Sequence, residues 1–330
     1  MLNVIENQLA IKKYARQFIK SFKPFIDEQI KVKLGHQGAS FNAKVNWSKK
    51  LGIWIFSHTI KETRYWNAFG VGKPHQGALL SITAEINFPW EAIDRKTGGA
   101  FARDYRGNIF VIHRGKIGGG KKGVGKSLFE HNYRGVWSYM GDGDSLTQVA
   151  VIGALSSPRF ALQIAQFVKK IELMKAAAIQ SSQTEFIFPE KSFREDLVGS
   201  LPSSAEPDIN AECDRDLIIS SLATLLQRWK FKIGNDDRHE LFLLDPTNNK
   251  VSHVFEVLND DKEKNILAAA GKLLLLAANE DNNPLLFLIL PDEKINFYAQ
   301  MLQKINISII GFRLEEDRII FPDLGKIKFD

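Results

Sequence analysis

Two glutamates in the C-terminal half are the residues whose spacing best suits chemistry. The segments Glu240–Leu244 and Val251–Leu258 read as strands, separated by the turn residues Asp245-Pro246-Thr247-Asn248-Asn249. Pairing Asp245 with Val251 sets Glu240 opposite Glu256 and Arg238 opposite Leu258, and directly opposed residues share a face. Two carboxylates side by side repel unless one is protonated or a cation lies between them. A second candidate is the glycine-rich stretch after Ile109–His113, in which Gly120 to Ser127 satisfies G-x-x-x-x-G-K-S. There, backbone amides would cradle phosphate, Lys126 would neutralise it and Ser127 would reach Mg²⁺. Its context argues against a nucleotide hydrolase. The strand ends at His113, well before Gly120, and the later strand Val149–Gly153 carries no acid.

The same stretch fits a loop that grips a phosphate backbone. Arg103, Arg106, Arg114, Lys116, Lys121, Lys122, Lys126 and Arg134 lie between Gly99 and Gly135, against only Asp104 and Glu130. Phe101, Tyr105, Phe110, Phe129, Tyr133, Trp137 and Tyr139 interleave with them, and exposed aromatic faces suit unstacked bases. Core packing is the plainer expectation for Phe110 and Phe129. No histidine shows metal-ligand spacing with a second ligand. His113, beside the loop, reads as a structural histidine.

The elements that must position these groups follow from hydrophobic period. Asn7–Ile30 reads as a helix through Ile11, Tyr14, Phe18, Phe22 and Phe25. Short β-like runs follow at Asn42–Trp47, Leu51–Ser57, Arg64–Phe69, Leu79–Phe88, Asn108–His113 and Gln148–Gly153, then a helix opened by Pro158. This predicts a basic α+β domain over residues 1–178. Serines and prolines predict a linker over 179–209. In residues 210–330 the expected order is a helix over Glu212–Lys230, the two strands, a helix over Glu263–Ala278, a strand over Leu285–Leu290, a helix over Tyr298–Ile305 and a strand over Ile307–Phe312. That order implies a mixed sheet with helices packed on it.

Charge divides the chain the same way. Residues 1–180 carry 27 Lys+Arg against 12 Asp+Glu, and residues 181–330 carry 17 against 26. A half at +15 attracts polyanions, so nucleic acid is the expected partner, while the acidic half is a candidate docking surface for a protein. The lone cysteine, Cys213, excludes an internal disulfide and points to a reducing compartment. No long apolar run exists and Met1–Lys13 lacks a signal-peptide core, so no membrane span and a cytoplasmic location are expected.

The helix, the hairpin, Phe255-Glu256-Val257 and the alanine-rich helix with Gly271-Lys272-Leu273-Leu274 together resemble the PD-(D/E)XK nuclease superfamily over roughly Glu212 to Leu290. The resemblance implies a restriction-endonuclease-like fold. It also implies Mg²⁺ held by Glu256, matching the acid of E-x-K, and by Glu240 on the preceding strand, with Asp237 and Asp245 as alternatives and Glu212 as the upstream helix acid. The family's lysine, which positions or activates the attacking water, is replaced by Leu258. Leucine can do neither, so Lys272 or Arg238 takes over that role or the domain does not cut. The expected function is therefore a nucleic-acid-binding protein of restriction or defence type with a metal-dependent nuclease half. An inactive nuclease-like docking module and a nucleotide hydrolase are the alternatives.

Overall fold

The computed structural model describes residues 1–36, 38–117, 125–133, 135–181, 208–236, 238–260, 262–280 and 282–327. The chain is α+β and divides into two compact units, Met1–Phe186 and Ile187–Asp330. The expected linker lies almost wholly outside the described residues. Among the described residues no helix is long and apolar enough to cross a membrane.

In the first unit, β1 (Leu2–Val4) leads to α1 (Gln8–Ser21), whose N-cap Asn7 accepts from the Ala10 N–H at 3.0 Å. The helix stops nine residues short of the expected Ile30. Pro24 sits in a single 3₁₀ turn, Lys23–Phe25, because proline cannot donate to a continuing helix. The chain then enters β2 (Glu28–His36), a strand the helical reading concealed, followed by β3 (Ala39–Ser48), β4 (Ile53–Ile60) and β5 (Arg64–Val71). The expected strand Leu79–Phe88 is instead three two-residue strands, β6 (Leu79–Leu80), β7 (Ala84–Glu85) and β8 (Phe88–Pro89). These form a seven-stranded sheet in the order β6-β2-β3-β4-β5-β7, with β8 also on β5.

The rest of the unit comprises β9 (Gly99–Arg103), β10 (Ile109–His113), α2 (Lys126–Asn132), β11 (Val136–Asp142), β12 (Ser145–Ala154) and α3 (Phe160–Ser181). Strands β1-β11-β12-β10-β9 close a five-stranded barrel. The core centres on Phe18, which packs edge-on against Phe22, Phe69, Phe88 and Phe160. Fully burying each such side chain contributes about 1.5–3 kcal/mol.

The second unit runs α4 (Ile209–Arg228), β13 (Lys232–Gly234), β14 (Leu241–Leu244), β15 (Val251–Val257), α5 (Glu263–Ala278), β16 (Leu285–Pro291), α6 (Ile295–Gln303), β17 (Ile307–Leu314) and β18 (Ile319–Ile320). The six strands lie in chain order. β13-β14-β15 are antiparallel, β15-β16-β17 parallel, and β18 is antiparallel to β17. Alternation sorts the side chains into two layers. Leu241, Leu243, Phe255, Val257, Phe287 and Ile289 pack with α4. Phe242, Val254, Leu286, Leu288 and Leu290 pack with α5 and α6. Burial on both faces explains the unbroken apolar run of β16.

Candidate active site on the acidic unit

Register brings the two glutamates together. The ladder runs Leu241↔Phe255, Phe242↔Val254 and Leu243↔His253, then slips so that Leu244 pairs with Val251. The expected Asp245–Val251 pairing is therefore displaced by one residue at the turn, and a bulge restores the register at the other end. Glu240, one residue before the ladder, comes to Glu256, and its Oε2 accepts from the Val257 N–H at 3.3 Å. Glu256 lies between Phe255 and Val257, which fill the α4 layer, so its own side chain turns to the α5 side.

Two cations close on this pair. Arg215, in the second turn of α4, donates from Nε to the Val257 carbonyl at 2.9 Å and from Nη2 to Glu240 Oε1, and Nη2 also stands 3.6 Å from Glu256 Oε1. Lys272, on α5, places Nζ 2.6 Å from Glu256 Oε2 and 3.8 Å from Glu240 Oε1. Glu256 Oε2 has no aligned hydrogen bond, so the lysine holds it by charge rather than by a directed bond. Two negative and two positive groups thus meet from four elements. Exposure grades them: the Glu256 side chain is 6% exposed, Glu240 and Arg215 are 15%, and Lys272 is 39%. An unpaired carboxylate at the depth of Glu256 would cost several kcal/mol. Lysine is the member solvent can reach, and the one with a flexible stem.

This arrangement accounts for the expected residues unevenly. Glu240, Glu256 and Lys272 converge. Arg238 does not: it is exposed, its N–H is bound to Asp236 Oδ1 at 2.8 Å, and the segment turns away before it can lie opposite Leu258. Asp236 also accepts from the His239 N–H and meets His239 Nδ1 at 2.8 Å. Burial would raise the Asp236 carboxyl, but these hydrogen bonds outweigh it and hold it at about 2. Asp245 is occupied within its turn by Thr247 and Asn248, Glu212 lies in the first turn of α4, and Asp237 lies outside the described residues. Leu258 shares the face of Glu256 and, half-buried, packs against the α5-side core. Arg215 escaped the sequence reading. Its only signal there is to be one of two arginines, with Arg228, in the helix Glu212–Lys230, which names no target.

The basic unit sorts its residues as sharply. Arg114 is buried, its Nη2 3.0 Å from Asp142 Oδ1, so it braces the barrel and does not face a surface. Arg103 and Arg106 are exposed, Arg106 lying over the Tyr105 ring at 5.1 Å. Lys116 donates to the Arg95 carbonyl, and Lys126 pairs with Glu130 at 3.1 Å in α2. Lys121, Lys122 and Arg134 lie outside the described residues, as does most of Gly120–Ser127. Of the aromatics, Phe101, Phe110, Phe129 and Tyr133 are core, and Trp137 is half-buried. Of these aromatics only Tyr105 and Tyr139, 69% and 57% exposed, reach the surface openly, fewer than expected, and Arg106 covers one face of Tyr105. Gly115, at φ +78°, packs under Phe129, 2.7 Å from where a Cβ would stand.

His113 is buried. Its Nδ1 accepts from the Gly115 N–H at 3.1 Å, which leaves Nε2 to donate to the Glu85 carbonyl at 3.1 Å. Burial chiefly, with Arg114 adding, pushes its pKa down to about 4 despite the Glu85 bond. It is a neutral structural histidine.

Among the described residues no three His, Cys, Asp or Glu side chains gather as metal ligands. The two glutamates nevertheless meet the minimum for Mg²⁺, which commonly takes one or two protein carboxylates and completes its shell with water and phosphate. The poorly satisfied Glu256 Oε2 fits that role. Comparison of the chain with protein-family models, curated proteins and solved structures finds no match.

Proposed function

We propose that this protein binds nucleic acid and that its acidic unit is a PD-(D/E)XK-like nuclease domain, of restriction or defence type, hydrolysing phosphodiesters with Mg²⁺ at Glu240 and Glu256. The observation that carries this reading is the convergence of Glu240, Glu256 and Lys272 from β14's entry, β15 and α5. The element order supports it: a helix, an antiparallel hairpin, the Glu256 strand, an alanine-rich helix and a parallel strand. When bound, the metal would polarise a phosphoryl oxygen and acidify a water. The chain's own groups then divide the work. Glu240 and Glu256 supply the oxygens. Lys272, half-exposed beside Glu256, stands in for the lysine lost at Leu258 and swings toward the phosphate. Arg215, tied to the Val257 carbonyl, fixes Glu240 and neutralises one charge.

Arg215 also favours a second reading. With its guanidinium and Lys272 in place the cluster is already charge-balanced, as a docking module that no longer cuts would be. Incubation of duplex and single-stranded DNA and RNA with Mg²⁺ or Mn²⁺ decides between them. Hydrolysis by the wild type, lost in Glu256→Gln and reduced in Lys272→Ala, supports the nuclease. Binding without cleavage under every metal condition supports the docking module.

A further inference from the structure

The hairpin β2–β3 presents a face that the glycine-rich loop had overshadowed. Along β2, Ile30, Val32 and Leu34 are buried while Gln29, Lys31 and Lys33 are exposed. On β3, Ala43, Val45 and Trp47 are buried while Asn42 and Lys44 are exposed. The register sets Gln29 opposite Asn46, Lys31 opposite Lys44, and Lys33 opposite Asn42. The outward face of this ribbon is thus three lysines among amides. It holds no acid and no aromatic ring.

Like charges directly opposed across a sheet destabilise it, by about 0.2–1 kcal/mol. The nearest strand acid, Glu28, pairs with Lys73 instead. Among the described residues no ion pair engages Lys31, Lys33 or Lys44. Toward β4 the same sheet surface becomes apolar beyond Asn46, where Ile53, Ile55, Tyr65 and Phe69 join the core formed with α1 and α3, and on the β6 side the exposed Leu79 lies beside Lys33. The lysine face is therefore not an unfinished packing surface. The lysine Cβ atoms stand about 5 Å apart across the ribbon and about 7 Å apart along it. That is a compact cationic patch with amide donors beside it. It suits a row of phosphates read without base contact. Single-strand binders add stacking rings, and this face has none.

We infer that the Lys31–Lys33–Lys44 face is a contact surface for the phosphate backbone of a nucleic-acid duplex. The inference rests on the nucleic-acid reading above and gives it a place and a strand state. Fluorescence anisotropy of the full chain with a labelled DNA duplex, the matching RNA duplex and the single strand, from about 50 to 200 mM salt, tests it. The variants are Lys31→Gln/Lys33→Gln/Lys44→Gln, the same triple to arginine, and Arg103→Gln/Arg106→Gln. The glutamine triple should lose at least about tenfold in duplex affinity, with a log–log salt slope shallower by about two to three. The arginine triple should bind as wild type. A glutamine triple that keeps both affinity and slope, while Arg103→Gln/Arg106→Gln binds more weakly, overturns the inference and spares the nucleic-acid reading. A wild type that prefers the single strand overturns the duplex assignment. A wild type that binds none of the three removes the nucleic-acid reading itself.

Discussion

Each unit sets an arginine, buried in one and half-buried in the other, against carboxylate, and the two sites differ in what closes them. In the basic unit Arg114 and Asp142 are 5% and 1% exposed, and Arg95 reaches Asp142 from outside at 3.2 Å. Arg95 is itself 60% exposed, but directed bonds to Asp142 and Ser145 fix its guanidinium, and Arg114 stays buried beneath it. In the acidic unit Arg215 is likewise held, but the cation on the other side of the carboxylates is a lysine at 39% exposure, off the hydrogen-bonding direction of Glu256. A closed pair fixes structure. A pair whose second cation can leave keeps carboxylate oxygens available to something else.

Mutation should separate the two. Asp142→Ala strands the buried Arg114 charge and should cost about 3–5 kcal/mol in urea unfolding. Lys272→Ala should cost less than half of that, because Glu256 retains the Arg215 charge at 3.6 Å and the Lys272 side chain is 39% exposed. Equal losses would erase the distinction. The next largest effect is one of pH and centres on His113 in the basic unit. His113 stays neutral when folded, with its pKa near 4, while the unfolded imidazole takes a proton near 6.5. The unfolded state therefore binds more protons between these values. Stability is complete above pH 6.5 and falls by about 3 kcal/mol as the pH drops to 4. Chemical unfolding across that range should show this slope, and His113→Asn should flatten it. A wild type with no slope would mean that His113 is charged in the fold.

Smaller effects bear on the surfaces. Lys121→Ala with Lys122→Ala should weaken nucleic-acid binding at low salt and shallow the salt slope by about two. Unchanged affinity would remove that loop from the interface. Smallest of all, Lys126→Ala should leave ATP turnover at background, as in the wild type. Robust hydrolysis abolished by this change would instead install Gly120–Ser127 as a nucleotide site.

How much of this could be read in advance depended on the range of the forces involved. The meeting of Glu240 with Glu256 was legible because turn chemistry and strand alternation are local, and the bulge at Leu244 absorbed the one-residue error at the turn. Helix α5 was legible to the residue because Glu263 and Ala278 bound an apolar run. Strand β2 was lost because Phe22 and Phe25 prolong the helical period past Pro24, which ends it. Arg215 and Arg114 were misjudged for one shared reason. A long cationic side chain looks alike in sequence whether it meets water or a distant carboxylate, and the carboxylates lie 25 and 28 residues away. The lysine face of β2–β3 was hidden with its strand: without the register, Lys31 and Lys44 are only two more basic residues in a basic half.

The central claim is that Glu240 and Glu256 form a divalent-cation site from which Lys272 can withdraw. Calorimetric titration of the full chain with Mn²⁺, in the presence of a non-cleavable duplex analogue, tests it directly. Saturable binding in the wild type that disappears in Glu240→Gln/Glu256→Gln and is unchanged or tighter in Lys272→Ala is the predicted result. Equal heats in the wild type and the double variant would contradict it.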